Sequence, residues 1–187
     1  MNLAALLFIK DNALKYHVDK NDISLLGFSA GGHLAASTIM YSLKDDLLKL
    51  FNCKNKDIKF AALLLGYPVI NCEEFSEFNT SSARCLDDPV LQELFSIEKH
   101  VTEQFPNTFI FLTSQDRLVP PYNSLSFAQA LVDKNVPVEL HMYPLGNHGL
   151  ALADNNTTSS FNKTDYPDVH TWIKHSIYFL RHSANKR

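Results

Sequence analysis

This sequence of 187 residues has little cysteine and almost no net charge, and each scarcity excludes a class of protein. Three widely spaced cysteines do not form a disulfide framework, so a reduced, cytoplasmic protein is expected, with a Cys72–Cys85 bridge as the alternative. Lys and Arg number 17 against 20 Asp and Glu, a net charge of −3. That balance offers no basic surface to a nucleic-acid backbone, so nucleic acid is not an expected partner.

Long hydrophobic runs are also lacking. The apolar start, Met1–Ile9, is far shorter than the roughly 20 residues of a membrane-spanning helix. It also lacks the basic residue and the small-residue cleavage site of a secretion signal, so we expect no membrane partner. Its leucines recur at helical spacing, which predicts a helix over about 3–16 with one buried face: Leu3, Leu6, Leu7 and Leu14.

Apolar residues make up 45% of the chain and occur as short runs between helical stretches. Four runs are predicted to be strands: Ile23–Gly27, Phe60–Leu65, Thr108–Thr113 and Val138–Tyr143. Alternating strands and helices are typical of βαβ units. We therefore predict one α/β domain over 1–187, with a mostly parallel sheet of about four or five strands and helices on both faces.

The predicted helices follow these strands. They extend to about Leu43, over Val90–Phe95, from Pro120 to Lys134, and from Pro167 onward. In the last helix one apolar face is predicted: Val169, Trp172, Ile173, Ile177 and Leu180. Residues 71–105 lack a clean period and are predicted to form a cap over one face of the sheet. Within that cap, the phenylalanines are candidates either for substrate contacts or for simple packing: Phe75, Phe78 and Phe95.

The sharpest local motif is Gly27-Phe-Ser-Ala-Gly31, a G-x-S-x-G between a predicted strand and a predicted helix. In that context a tight turn exposes the hydroxyl of Ser29 as a nucleophile. We expect Gly27 and Gly31 to be small because backbone passes close to the turn. The amide of Ala30, at the start of the helix, is the candidate oxyanion donor. The motif alone fits equally well a glycine-rich turn that happens to contain a serine.

A nucleophilic serine needs a base, and the base needs an acid that orients it. Asp116 comes directly after the strand Thr108–Thr113, and His148 follows the strand Val138–Tyr143. The order Ser29, Asp116, His148 is that of α/β hydrolases. Each residue alone has an ordinary structural explanation, but the three together favour a catalytic triad.

The other histidines carry less information. His33 lies one turn into the helix after Ser29 and is expected to be structural. His141 falls within a predicted strand. His170 and His175 are five residues apart, which separates them around a helix and argues against a metal pair. No metal and no cofactor are therefore expected.

Three segments resemble the small α/β-hydrolase esterases related to acetyl-xylan esterases: Gly27-Phe-Ser-Ala-Gly-Gly-His-Leu34, Asp116-Arg-Leu-Val-Pro120 and His148-Gly-Leu150. The segment 123–143 is similar to that family as well. The resemblance implies hydrolysis of carboxylic esters with short acyl groups, acetyl groups on sugars among them. It implies Ser29 as nucleophile, His148 as general acid and base, Asp116 as its orienting partner and Ala30 as oxyanion donor.

The chain departs from that family at its start. Family members carry strands and a His-Gly-Gly loop ahead of the nucleophile, whereas 28 residues precede Ser29 and none of the six glycines forms such a loop. We therefore expect the C-terminal part of the fold, truncated at the N-terminus, with the strand Ile23–Gly27 as an exposed edge. Another chain, including a second copy, could cover that edge, as could the first helix or the rest of a longer protein.

Three functions remain open from the sequence. The first is a serine carboxylesterase acting on a small ester, slowed by the loss of one oxyanion donor. The second is a peptidase of the prolyl-oligopeptidase type, which shares the order of the triad. The third is an inactive remnant or subunit that pairs with a partner through the exposed edge.

Overall fold

A computed structural model of the protein describes residues 2–44, 48, 59–72, 88–154, 157 and 166–182. Within them lie four strands: β1 (Leu25–Phe28), β2 (Leu63–Gly66), β3 (Thr108–Thr113) and β4 (Val138–Tyr143). All four are parallel and form one sheet in the order β1-β2-β3-β4. The predicted parallel α/β sheet is confirmed.

The strands begin at one level of the sheet, because Leu25 pairs with Leu63, Leu63 with Thr108 and Thr108 with Val138. The strands β1 and β2 start later than predicted, although the amide of Ala61 still donates to the carbonyl of Ile23 (2.9 Å) ahead of them. The strands β3 and β4 have the predicted bounds, and they extend two residues beyond the pairing of Gly66 with Phe111.

Helices precede, connect and follow the strands. They are α1 (Asn2–Asp11), α2 (Ala13–Tyr16), α3 (Ala30–Ser42), α4 (Pro89–Phe95), α5 (Tyr122–Asp133), α6 (Pro167–His170) and α7 (Trp172–His182). A short 3₁₀ helix, Ile97–His100, follows α4. Among the described helices, none combines the length and the apolar character that a membrane crossing requires.

The two faces of the sheet carry separate apolar cores, because side chains alternate along each strand. On one face, Leu63, Leu65 and Ile110 pack with residues of α3 and α5, such as Ile39 and Phe127. On the other face, residues of β2 and β3 pack with α7: Leu64, Phe109, Phe111, Trp172 and Phe179. Helices therefore cover both faces, and β2 and β3 are buried along their whole length.

The first helix differs from its prediction. Asn12 interrupts it, and the Asn12 side chain donates a hydrogen bond to the carbonyl of Phe8 (2.8 Å). The chain restarts as α2 with Ala13 buried, so Leu14 is 94% exposed and does not share the face of the buried Leu6. The predicted four-leucine face is therefore wrong at Leu14.

The last helix also differs. It is interrupted at Thr171 between α6 and α7, and its buried residues lie three or four positions apart, as on one helical face: Val169, Trp172, Ser176 and Phe179. Ile177 and Leu180, predicted to be inward, are 44% and 37% exposed. The prediction followed the apolar residues, whereas the inward face includes the polar Ser176 and leaves Ile177 and Leu180 outside it.

Within the described residues, β1 lies at one edge of the sheet, and its Leu26 is 53% exposed. Helix α1 does not cover this residue. It packs through Leu6 near Ile23 and Phe60, which lie just before β1 and β2. The predicted cap falls partly on residues 73–87, which lie outside the described residues, as do Phe75, Phe78 and Cys85.

Candidate active site

The turn between β1 and α3 holds Ser29 in a backbone conformation that is uncommon for serine, with φ 53° and ψ −124°. Its amide donates to the carbonyl of Gly66 (3.0 Å). Its carbonyl accepts from the amides of Gly32 (2.9 Å) and Val69 (3.1 Å). The bonds to Gly66 of β2 and to Val69 after it hold the strained turn in place.

The glycines of the motif have different reasons to be small. A Cβ on Gly27 would lie 2.2 Å from the carbonyl oxygen of Gly31, and one on Gly32 would lie 2.7 Å from the Cβ of Pro68. A Cβ built at Gly31 meets no atom within 4 Å in the described part of the chain. The close approach predicted at Gly27 is confirmed. The one predicted at Gly31 is wrong and belongs to Gly32.

The structure brings Ser29, His148 and Asp116 into one hydrogen-bonded chain. Nε2 of His148 lies 2.7 Å from Oγ of Ser29, and Nδ1 lies 2.7 Å from Oδ2 of Asp116. The side chain of Asp116 is 1% exposed and that of His148 is 13% exposed. A hydroxyl, an imidazole and a shielded carboxylate are thus joined in the order that activates a nucleophile.

Asp116 lies in the turn that leaves β3. Its second carboxylate oxygen, Oδ1, accepts from the amides of Leu118 (3.0 Å) and Val119 (2.9 Å). Both oxygens therefore have donors, which is what a buried carboxylate requires. The backbone bonds also fix the direction in which Oδ2 faces His148.

The loop that carries His148 is tied to the end of β3. Thr113 donates through Oγ1 to the carbonyl of Gly146 (2.7 Å), and Ser114 donates through Oγ to the carbonyl of Pro144 (2.8 Å). Gly146 has φ 125°, in the region that favours glycine. The acid and the base are thus positioned relative to each other by neighbouring strands.

Tyr67 is a residue of the site that the sequence reasoning missed. Its ring meets the imidazole of His148 nearly edge-on, with centroids 4.9 Å apart, and its hydroxyl accepts from the amide of Ala151 (2.9 Å). Burial raises the pKa of Tyr67, so its hydroxyl stays protonated. Its position directly after β2 was the available signal, because the carboxyl ends of parallel strands meet at one edge.

Trp172 of α7 holds the same loop from another side. Its indole Nε1 donates to the carbonyl of Ala151 (2.9 Å), and its ring stacks on Phe111 at 4.6 Å. Both backbone groups of Ala151 are therefore bound, and this residue has φ 48°. The segment after His148 is anchored to β2 through Tyr67 and to α7 through Trp172.

Ala30 opens α3, so its amide has no carbonyl one turn earlier to bind within the helix. The hydroxyl of Ser29 bonds to His148 instead of capping that helix end. An amide with these properties beside the serine can donate to a negative oxygen, helped by the helix dipole.

His33 lies one turn further along α3. It makes a hydrogen bond with the backbone of Val69, packs against Phe95, and has a pKa lowered by burial. Its Nδ1 is buried and has no hydrogen-bond partner among the described residues. The amide of Val69 in turn bonds the carbonyl of Ser29, so His33 helps to hold the turn in place. This is the structural role that was expected for His33.

Comparisons with known proteins find similar sequences and structures. Residues 3–131 match the sequence profile of the BD-FAE family. The chain is similar to the endo-1,4-beta-xylanase B of Butyrivibrio fibrisolvens, at 34% identity over 87% of this chain and 26% of that protein.

Two solved structures are also similar. One is the carboxylesterase Cest-2923 from Lactobacillus plantarum WCFS1, with a TM-score of 0.83 and 31% identity over 95% of this chain and 64% of the other. The second is the acetyl ester-xyloside bifunctional hydrolase from Caldicellulosiruptor lactoaceticus, with a TM-score of 0.74 and 35% identity over 95% and 62%. The chain thus spans about a quarter of the curated relative and under two thirds of these structures.

Proposed function

This chain belongs to the BD-FAE family of α/β hydrolases, and from that premise we propose that it hydrolyses carboxylic esters. Ser29 acts as the nucleophile, His148 as general base and then general acid, and Asp116 as the carboxylate that orients His148. The observation that carries this proposal is the pair of 2.7 Å contacts that His148 makes with Ser29 and Asp116.

The reaction follows from the direction of these contacts. Nε2 of His148 takes the hydroxyl proton as Oγ of Ser29 attacks the ester carbonyl. The imidazolium that forms is stabilised by Asp116, which also keeps the proton on Nδ1. His148 then gives its Nε2 proton to the leaving alcohol, and an acyl-enzyme remains. Water, activated by the same imidazole, releases the acid and restores Ser29.

The negative oxygen of each tetrahedral intermediate is assigned to the amide of Ala30. A donor at the first position of a helix serves this purpose because it is already oriented before the charge develops. A second donor would add to it, and loss of one donor typically lowers kcat by about 10²–10³-fold.

For the substrate we propose esters of short acyl groups, with acetyl groups on sugars as the leading class. The support is similarity alone: the Caldicellulosiruptor neighbour is named an acetyl ester-xyloside hydrolase, and the Butyrivibrio relative is named a xylanase.

The deciding experiment measures hydrolysis of p-nitrophenyl acetate by the wild-type protein and by Ser29→Ala. We expect the substitution to lower kcat by about 10⁴-fold or more, because it removes the nucleophile. Ser126→Ala is the matched control, since Ser126 lies on α5 and bonds to the carbonyl of Asn123, away from the triad.

Equal rates for wild type and Ser29→Ala would overturn the esterase proposal and favour the inactive remnant. Cleavage of a prolyl peptide p-nitroanilide in preference to the ester would instead favour the peptidase.

A further inference from the structure

Three metal-ligating side chains of β4 and α7 lie together outside the triad. Glu139 and His141 are two residues apart on β4 and therefore share one face of the strand. His175 belongs to α7, which packs over that face. Each residue offers one ligand atom, and these atoms all lie within 4.8 Å of one another.

The two imidazoles are already in contact. The rings of His141 and His175 stack with centroids 4.4 Å apart and an angle of 25° between their planes. Nε2 of His141 also lies 2.8 Å from Oε1 of Glu139. Two neutral imidazoles and one carboxylate are donors that suit Zn²⁺.

The spacing fits a small ion. With Zn–N and Zn–O distances of about 2.0–2.2 Å, the ligands of a tetrahedral site lie roughly 3.3–3.5 Å apart. To bind one ion, the stacked rings of His141 and His175 must turn so that a nitrogen of each points toward it. The hydrogen bond between His141 and Glu139 must open as well.

Neighbouring side chains restrain Glu139 and His141 on β4, whereas His175 on α7 borders the solvent. The ring of His141 lies 5.2 Å from that of Phe109 and 6.4 Å from that of Tyr143. Glu139 and His141 are half-buried, so their orientation is limited. Solvent reaches the cluster from the side of His175, which provides a path for an ion.

We propose that Glu139, His141 and His175 form a binding site for a divalent transition-metal ion, Zn²⁺ in the first place, with water as the fourth ligand. The ion joins β4 to α7. Helix α7 also carries Trp172, whose indole holds the loop after His148, so a bound ion stabilises the packing on which that loop depends. This site is independent of the proposed esterase activity.

The test uses the full chain without a histidine tag, freed of metal with EDTA and titrated with ZnCl₂. We expect calorimetry to show one ion per chain. Because the ion binds the folded state, Tm rises by roughly 5–10 °C at a Zn²⁺ concentration about a hundred times Kd.

His175→Ala removes the exposed ligand, and we expect it to abolish both the binding and the rise in Tm. His182→Ala is the matched control, because it removes another exposed histidine from the same helix and leaves the cluster intact. Glu139→Gln keeps the shape of the side chain and removes its charge, so it weakens binding without depending on a change in fold.

The triad histidine is the competing site for Zn²⁺. Binding that persists in His148→Ala and is lost in His175→Ala supports the proposal. Binding that persists in His175→Ala, or a wild-type protein that binds no Zn²⁺, overturns it.

Discussion

At the scale of single residues, the turn at Ser29 depends on which glycine has no room for a side chain. Gly27 and Gly31 both belong to the motif, yet only the former has backbone atoms where a Cβ would stand. Sequence patterns treat the two alike because they record residue type and spacing. The distinction requires the path of the following helix, which folds the carbonyl of Gly31 back over Gly27.

We predict that Gly27→Ala lowers the free energy of unfolding by about 3 kcal/mol, because the new Cβ forces the backbone of the turn apart. Gly31→Ala is the matched control. It adds a Cβ on α3 that meets no atom of the described residues within 4 Å, and it is expected to raise stability by about 0.5–1 kcal/mol. Urea denaturation of both variants gives the comparison, and equal destabilisation by the two substitutions would contradict the prediction.

At the scale of elements, the predictions succeeded where one stretch of sequence forms one regular element. The strands β3 and β4 are apolar runs bounded by turn residues, so their bounds follow from the sequence alone. The faces of the first and last helices did not, because apolar residues lie on both the inward and the outward side of each. Leu14 and Ile177 are exposed, whereas the less apolar Ala13 and Ser176 beside them are buried.

The connections between elements show the same limit. Asn123 of α5 accepts through Oδ1 from the amides of Ile70 (2.8 Å) and Asn71 (2.9 Å), and thereby satisfies buried donors that lie just after β2. Tyr67 and Ala151 are likewise 84 residues apart in the chain. Such pairs become neighbours only through the order of the strands. By contrast, the triad could be predicted because the G-x-S-x-G motif, the chain order and the positions of Asp116 and His148 after later strands together imply its convergence.

We predict that Tyr67→Phe loosens the loop after His148. The substitution keeps the ring beside the imidazole but removes the acceptor of the Ala151 amide, which costs about 1–2 kcal/mol of stability. We expect kcat/KM for p-nitrophenyl acetate to fall roughly ten- to a hundredfold, because the base is less well held. Tyr178→Phe, an exposed position on α7, serves as control and should change neither quantity.

At the scale of the whole molecule, the stability of the fold is expected to depend on pH through His33. Burial lowers its pKa below the ordinary value of 6.5, so the folded protein resists protonation there. Below pH 6.5 the unfolded chain binds a proton that the folded chain does not. Between the lowered pKa of His33 and pH 6.5, the free energy of unfolding therefore rises with pH. The part of it that depends on His33 is lost as the pH falls through the same range.

The measurement is urea denaturation of the wild type and of His33→Gln between pH 7.5 and the onset of acid unfolding, on the order of pH 5. The variant cannot titrate at this position, so its stability should decline less steeply as the pH falls. An identical slope in both proteins would assign the pH dependence to other groups.

The register of the sheet has a consequence for the shape of the substrate site. All four strands start together, but β1 and β2 end level with Phe111, two residues before β3 ends at Thr113. At about 3.3 Å per residue, this leaves a step of roughly 7 Å across the carboxyl edge. Ser29 follows β1, one of the two strands that end early. Asp116 and His148 lie on the connections that leave the two longer strands, β3 and β4. We therefore expect an ester bound at Ser29 to lie over the ends of β1 and β2, with the longer β3 and β4 along one side of it.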